Sequence, residues 1–164
     1  VEENIIKSIT GRVISRDVSD YKVSLIDDNI ERLGISNIDV QVYNALDKDD
    51  SLVGKADIVI ADLPCSGLGI MGRKPDIRYN ISPEKISDII RLQRDILEVV
   101  SMYVKPGGTL VYSTCTINRS ENEDNADWIC TSLGFTRDGE YVQMLPSPDK
   151  DNDGFFVARL IKNS

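Results

Sequence analysis

The chain has 164 residues, of which 41 % are hydrophobic and 28 % are charged. This length and composition fit one folded domain with a real core and exclude a disordered chain. We expect no membrane span and no secretory leader, because the apolar runs are too short and no basic-then-apolar start is visible. Histidine is absent, which excludes His-based triads and His-ligated zinc. The three cysteines are too unevenly spaced for a disulfide framework or a metal site, so we expect no metal and a reduced, cytoplasmic setting.

The net charge is −8, which taken alone argues against a nucleic-acid partner. The charges are unevenly distributed, however. Residues 62–120 carry 8 basic and 6 acidic side chains, a net charge of +2, whereas the segments on either side carry −5 each. The basic middle third also contains the unusual motifs.

Short apolar runs alternate with amphipathic stretches, a pattern typical of an α/β sheet covered by helices. The predicted order is β-α-β-β-α-β-α-β-β. The strands are expected at residues 12–17, 39–43, 57–61, 109–113, 141–145 and 155–161. The run at 57–61 is apolar enough for burial on both faces, as in parallel sheets.

Capping residues predict where the helices begin and end. Ser19 and Ser82 are expected to cap the first two helices, and Pro106-Gly107-Gly108 to end the second. Ser120 with Glu123 predicts a capping box for the third helix.

The acidic side chains near that third helix are Glu121, Glu123, Asp124 and Asp127, and we expect them on its N-terminal face, where the macrodipole favours them. Cys130, on the same helix, is expected to pack.

The early elements predict a doubly wound parallel sheet, and the end predicts an antiparallel hairpin. Ligands of such sheets bind beyond the carboxyl ends of the strands. The expected strands end near three reactive side chains, Asp17, Asp62 and Cys115.

Two cysteines follow two of these strands. Asp62-Leu63-Pro64-Cys65 combines a carboxylate, a rigid proline and a thiol, which favours a site over an ordinary turn. Cys115 alone could equally be a core cysteine. Because both loops open on the same edge of the sheet, we expect a thiolate there that attacks an electrophilic carbon. Without histidine, its pKa would have to be lowered by Arg73, Lys74 or Arg78, or by the substrate.

Residues 72–79 (GRKPDIRY) bring three cations and an aromatic ring together. That composition suits phosphates and stacked bases, and a solvated surface loop is the alternative. Asp17 could bond a ribose hydroxyl pair, but a turn Asp explains it equally well, because no Gly-rich loop precedes it.

The motifs DLPCSGLGIMGRKPDIRYN, KPGGTLVYSTCT with RSENED after it, and DGFFVARLIK resemble the Nop/Sun family of RNA (cytosine-5) methyltransferases. The RKPDIRY element is most similar to the bacterial branch that methylates 16S ribosomal RNA, the Sun or Fmu type. The resemblance extends from about Gly11 to Lys162. It implies a Rossmann-like class I fold that uses S-adenosylmethionine, with helices on both faces of the sheet and RNA, 16S rRNA above all, as the partner.

The resemblance also implies catalytic roles. Cys115 matches the nucleophile that adds to carbon 6 of the target cytosine, which makes carbon 5 nucleophilic toward the methyl group. Cys65 matches the second cysteine, which helps to break the covalent adduct. Asp62 matches the carboxylate that holds or protonates the edge of the base.

Cofactor and RNA contacts follow from the same resemblance. Asp17 matches the acid on the cofactor ribose, and Asn44 stands where the family often has an acid beside the adenine. Pro64 matches a position that shapes the pocket near the base and the methyl donor, and Asp62 is expected to contact the cofactor as well as the base. The residues expected to contact RNA are Arg73, Lys74 and Arg78.

The sequence departs from the family in lacking the Pro/Gly-rich cofactor loop and the first core strand. Val1 to Thr10 resembles the tail of the helix that follows them. We therefore expect residues 1–164 to be a single truncated catalytic domain, inactive alone and missing the N-terminal region of its parent protein. The strands that flank the missing one are expected to pair directly, or another chain to fill the gap.

Two other functions stay open. One is a non-catalytic RNA-binding or ribosome-assembly module that retains the fold. The other is an S-adenosylmethionine enzyme that acts on small molecules or protein, against which the RKPDIRY element argues.

Overall fold

A computed structural model describes residues 11–147, 149 and 151–164. The expectation for Val1 to Thr10 lies outside the described residues. The chain divides into two compact units, the first ending at Asp47 and the second running from Lys48 to Ser164. Within the described ranges, no helix combines the length and the apolar character that a bilayer crossing requires.

The first unit contains a β-α-β motif. Its elements are β1 (Val13–Asp17), α1 (Asp20–Leu33) and β2 (Ile38–Val42), and the two strands are parallel. The Ser19 side chain accepts a hydrogen bond from the backbone N–H of Lys22, which caps α1 as predicted.

The second unit is built on one sheet. Its elements are β3 (Ala56–Asp62), a 3-10 turn (Leu68–Ile70), α2 (Ile77–Asn80), α3 (Pro83–Ser101), β4 (Val104–Thr114), α4 (Glu123–Ser132), β5 (Phe135–Arg137), β6 (Val142–Met144) and β7 (Phe155–Lys162). The strand order is β3-β4-β7-β5, and β6 also pairs with β7. Strands β3 and β4 are parallel, whereas β7 is antiparallel to β4, β5 and β6. The predicted α/β sheet with a C-terminal antiparallel hairpin is therefore confirmed.

The core of this unit joins the sheet to α3 and α4. Leu97 of α3 and Ile129 of α4 are fully buried with Leu110, Tyr112 and Leu160 of the sheet. Burial of each such side chain stabilises the fold by about 1.5–3 kcal/mol.

The expectation that the strand at 57–61 is buried on both faces is wrong. Val59 and Ala61 pack with the core, but Ile58 is 63 % exposed and Ile60 is 73 % exposed. Successive strand residues point to opposite faces, and the core contacts all lie on the Val59 side.

The Pro106-Gly107-Gly108 motif does not end the long helix. Helix α3 ends at Ser101, and the motif lies inside β4. The register with β3 shifts there, from Ala56 opposite Val104 to Ile58 opposite Thr109. This bulge accommodates a proline that cannot donate to the ladder and a glycine with φ of 74°.

One further expectation fails in the described part of the chain. Helix α4 begins at Glu123 with Asn122 as its N-cap, so the Ser120 capping box does not form. The expected direct pairing of the strands ending at Asp17 and Asp62 would join the two units, and it stays a prediction, as does the alternative of another chain in the gap.

Candidate active site

Strands β3 and β4 place the first polar groups of the site side by side. Asp62 lies opposite Ser113 in the parallel register. The Ser113 hydroxyl donates to Asp62 Oδ1 at 3.2 Å, and the Leu63 N–H donates to the Ser113 carbonyl at 3.3 Å. The loops that follow the two strands therefore lie at the same edge of the sheet.

Those loops bring two thiols into contact. The Sγ atoms of Cys65 and Cys115 lie 3.2 Å apart, although the residues are 50 positions apart in sequence. Both side chains are half-buried. The predicted convergence of the two cysteine loops is confirmed.

The two thiols cannot both ionise easily at this distance. Burial, and then the hydrogen bond with Cys115, raises the pKa of Cys65 to about 12. Cys65 therefore keeps its proton at neutral pH, and its S–H group can donate to the sulfur of Cys115.

A close glycine contact fixes the backbone of Cys115. The Gly69 N–H donates to the Cys115 carbonyl at 3.1 Å, and the Gly154 N–H donates to the Gly69 carbonyl at 2.7 Å. A Cβ atom on Gly69 would lie 2.5 Å from the Gly154 oxygen and 2.8 Å from the Cys115 oxygen. The turn before β7 is thereby joined to both cysteine loops.

Glu121 is the group that sequence reasoning misplaced. It is 0 % exposed and lies before the helix, not on the N-terminal face where it was expected. Its carboxylate accepts hydrogen bonds from the Ser66 backbone N–H at 2.8 Å and from Asn118 Nδ2 at 3.0 Å. It lies two residues before α4 begins, in a turn, and this position explains why the macrodipole argument fails for it.

A buried amide side chain, that of Gln93, supports the Cys65 loop as well. Gln93 of α3 donates from Nε2 to the Pro64 carbonyl at 2.9 Å and to Glu121 at 3.3 Å. Asn125 of α4 donates to Gln93 Oε1 at 2.8 Å. Helix periodicity could have placed these residues inward, but it could not have shown which loop they hold.

The expected cofactor residues divide between the two units. Asp62 and Pro64 are at the cysteine edge of the second unit and are exposed. Asp17 and Asn44 belong to the first unit. Asp17 accepts from the Ser19 N–H at 2.8 Å and from Lys22 Nζ at 3.3 Å, and Asn44 Oδ1 accepts from the Leu46 N–H at 3.1 Å.

The expected RNA-contacting side chains lie on one exposed segment around α2. Arg73, Lys74 and Arg78 are all exposed, and Arg73 forms an ion pair with Asp153 at 3.0 Å. The Arg78 guanidinium lies 5.4 Å from the centre of the Tyr79 ring, and Tyr79 is 78 % exposed. Of the contacts in the described residues, none joins these cations to Cys115, so their predicted effect on this thiol stays a prediction.

The family model for the 16S rRNA methyltransferase RsmB/F matches residues 4–161. The chain belongs to this family. Its α/β sheet is accordingly that of the class I S-adenosylmethionine-dependent methyltransferases, and the resemblance on which the sequence analysis rested is confirmed.

The relatives align with nearly all of this chain. Ribosomal RNA small subunit methyltransferase F of Salmonella paratyphi A is 35 % identical over 94 % of this chain, and its counterpart in Aliivibrio salmonicida is 31 % identical. The structure of NSun6 from Pyrococcus horikoshii with SFG superposes with a TM-score of 0.77 at 26 % identity, covering 94 % of this chain and 42 % of that one. The chain spans 36 % of the length of the curated relatives.

The remaining sequence expectations concern metals and Cys130. The described residues contain no group of three or more His, Cys, Asp or Glu side chains that could hold a metal ion. Cys130, which lies in α4, packs against the core, as predicted.

Proposed function

We propose that the protein containing this chain methylates carbon 5 of a cytosine in 16S rRNA, using S-adenosylmethionine and a covalent cysteine adduct. The observation that carries the proposal is the 3.2 Å contact between Cys65 and Cys115, beside Asp62 at the carboxyl edge of the sheet. Family membership supports rRNA as the substrate class. We expect the protein to act in the cytoplasm, where thiols stay reduced.

The chain's own residues fit S-adenosylmethionine. The Asp17 carboxylate makes two hydrogen bonds and retains lone pairs for ribose hydroxyls, since a carboxylate accepts about four. Asn44 uses its Oδ1 locally, which leaves its amide hydrogens for an acceptor on the adenine. When bound, the cofactor supplies an electrophilic methyl group.

Cys115 begins the proposed reaction. Its thiolate sulfur forms a bond to carbon 6 of the cytosine, and the electron pair of the C5–C6 double bond moves to carbon 5, which becomes the nucleophile. Asp62, held by the Ser113 hydroxyl, hydrogen-bonds the edge of the base. The target base has to leave its stack to reach the thiol.

Cys65 ends the proposed reaction. After carbon 5 has gained the methyl group, its proton passes to water, the C5–C6 double bond re-forms, and the Cys115 sulfur leaves with its electron pair as a thiolate. The Cys65 thiol is protonated at neutral pH and can donate a hydrogen bond to that sulfur as it leaves. Loss of Cys65 would therefore slow the release of the product.

Substrate binding is assigned to the segment around α2. Lys74 and Arg78 can contact phosphates, and the exposed Tyr79 ring can stack on an unpaired base. Arg73 shares its charge with Asp153, so it contributes less to phosphate binding than the other two cations.

The test is transfer of a labelled methyl group to 16S rRNA by a protein of the relatives' length that contains this chain. We expect label on carbon 5 of a cytosine and none with Cys115→Ala. Label on another atom, or full turnover by Cys115→Ala, would refute the proposal.

A further inference from the structure

We infer that Glu121 is a positioning residue, which holds the Cys65 loop against the Cys115 loop at thiol contact. The inference rests on the proposed function for its catalytic consequence, but the positioning itself can be tested without RNA. Glu121 touches neither sulfur and acts through the backbone and side chains of both loops.

The carboxylate connects three separate segments. Its Oε2 atom accepts from the Ser66 N–H at 2.8 Å, directly after Cys65, and from Gln93 Nε2 at 3.3 Å. Its Oε1 atom accepts from Asn118 Nδ2 at 3.0 Å, three residues after Cys115. One side chain thus ties the Cys65 loop to α3 and to the Cys115 loop.

A hydrogen bond between two hydroxyl groups also connects the Cys65 loop to the Cys115 loop. Ser66 Oγ and Thr116 Oγ1 lie 2.8 Å apart, and both residues are buried next to the cysteines. Because Ser66 and Thr116 directly follow Cys65 and Cys115, a shift of either residue changes the distance between the two thiols.

The cost of burying this charge argues for a specific task. Among the ion pairs of the described residues, none includes Glu121, so its carboxyl group is held by hydrogen bonds without a paired cation. A buried carboxylate in that state contributes little to stability compared with a packed apolar side chain. It does provide two oxygens that accept from donors in a fixed arrangement, which neither an alanine nor a leucine supplies.

The experiment measures how quickly Cys65 and Cys115 form a disulfide in a Cys130→Ala background, where only these two thiols remain. The oxidant is the azo compound diamide: the S–S bond forms, and the two protons and two electrons pass to the azo nitrogens, giving the hydrazine. We expect Glu121→Ala to form the disulfide about tenfold more slowly, because the hydrogen bonds that hold the loops are lost.

Matched variants separate positioning from general damage. Glu121→Gln keeps the shape and one acceptor oxygen but turns an amide donor toward a donor of one loop, so we expect its rate to lie between those of the parent and Glu121→Ala. Asp124→Asn removes an exposed carboxylate of α4 that pairs with Arg119, and its rate is expected to be unchanged. If Glu121→Ala does not fold, Glu121→Asp, whose carboxylate is one methylene too short to reach both loops, takes its place. A parental rate in the folded Ala or Asp variant overturns the inference.

A second measurement distinguishes failure of the inference from failure of the proposed function. In the methyl-transfer reaction, Glu121→Ala is expected to lower kcat and to leave KM unchanged. It is also expected to accumulate a protein–RNA adduct, as we expect for Cys65→Ala. If Cys65→Ala accumulates no adduct, the proposed two-cysteine reaction fails, while the diamide rates still decide the role of Glu121.

Discussion

Gly69 and Gly154 meet backbone to backbone, with the Gly154 N–H donating to the Gly69 carbonyl at 2.7 Å. Neither position leaves room for a side chain, because an added Cβ on either residue would lie under 3 Å from the backbone of the other. Since Gly69 also donates to the Cys115 carbonyl, this contact sets the position of the thiol as well as the packing of the loops.

Substitution of Gly69 by alanine is expected to destabilise the fold by about 1–3 kcal/mol, because the new methyl group must displace backbone atoms. Urea denaturation measures this change. Gly72→Ala is the control, since nothing lies within 4 Å of its Cβ position, and we expect it to change stability by less than about 0.5 kcal/mol. Equal stability of the two variants would contradict the tight approach at Gly69.

Alkaline pH is expected to weaken the fold through Cys65. The pKa of its thiol rises from the ordinary 9.0 to about 12 on folding. The neutral thiol is favoured in the folded state, so its contribution is fully present below pH 9 and is lost as the pH rises toward 12. The free energy of unfolding of the wild type, less that of Cys65→Ala, should therefore fall progressively as the pH rises from about 9 toward about 12. A difference independent of pH would show that the thiol is not held neutral.

Lys74 is expected to contact an RNA phosphate. Lys74→Ala should weaken RNA binding for all sequences alike and reduce the slope of log K against log salt by about 1. Lys55→Ala is the matched control, because Lys55 is also exposed but lies next to the amino end of β3, whereas the site lies at the carboxyl end. Filter binding at several salt concentrations measures both. Equal slopes for the two variants would show that Lys74 does not contact an RNA phosphate.

The 164-residue chain alone is expected to bind S-adenosylmethionine weakly and to be inactive, because its sequence lacks the Pro/Gly-rich loop of the family. Isothermal titration measures the affinity. A Kd in the low micromolar range, about −8 kcal/mol, would contradict this expectation.

Much of the fold is predictable from local signals. The Ser19 cap lies where the sequence places it, and the convergence of Cys65 and Cys115 follows from the rule that parallel strands end at one edge. The three-residue strand β5 was not predicted, because it is too short for a period to be visible.

The burial of Glu121 depends on tertiary contacts. Its neighbours Glu123 and Asp124 are acidic too, and a single sequence does not distinguish which carboxylate meets the Ser66 N–H. The bulge at Gly107 was missed for a similar reason. A Pro-Gly-Gly motif in a sequence indicates the end of a helix, and only the register of β4 with β3 shows that this one forms a bulge within a strand.

The most direct test of the two-cysteine site is to trap the covalent adduct. A protein of the relatives' length that contains this chain is mixed with 16S rRNA and S-adenosylmethionine, as Cys65→Ala and as the Cys65→Ala, Cys115→Ala double variant, and bound RNA is followed on a denaturing gel. We predict a stable protein–RNA species with the first and none with the second, because Cys115 forms the bond and Cys65 assists its release. An adduct that persists without Cys115, or none with either variant while methyl transfer continues, would contradict the account.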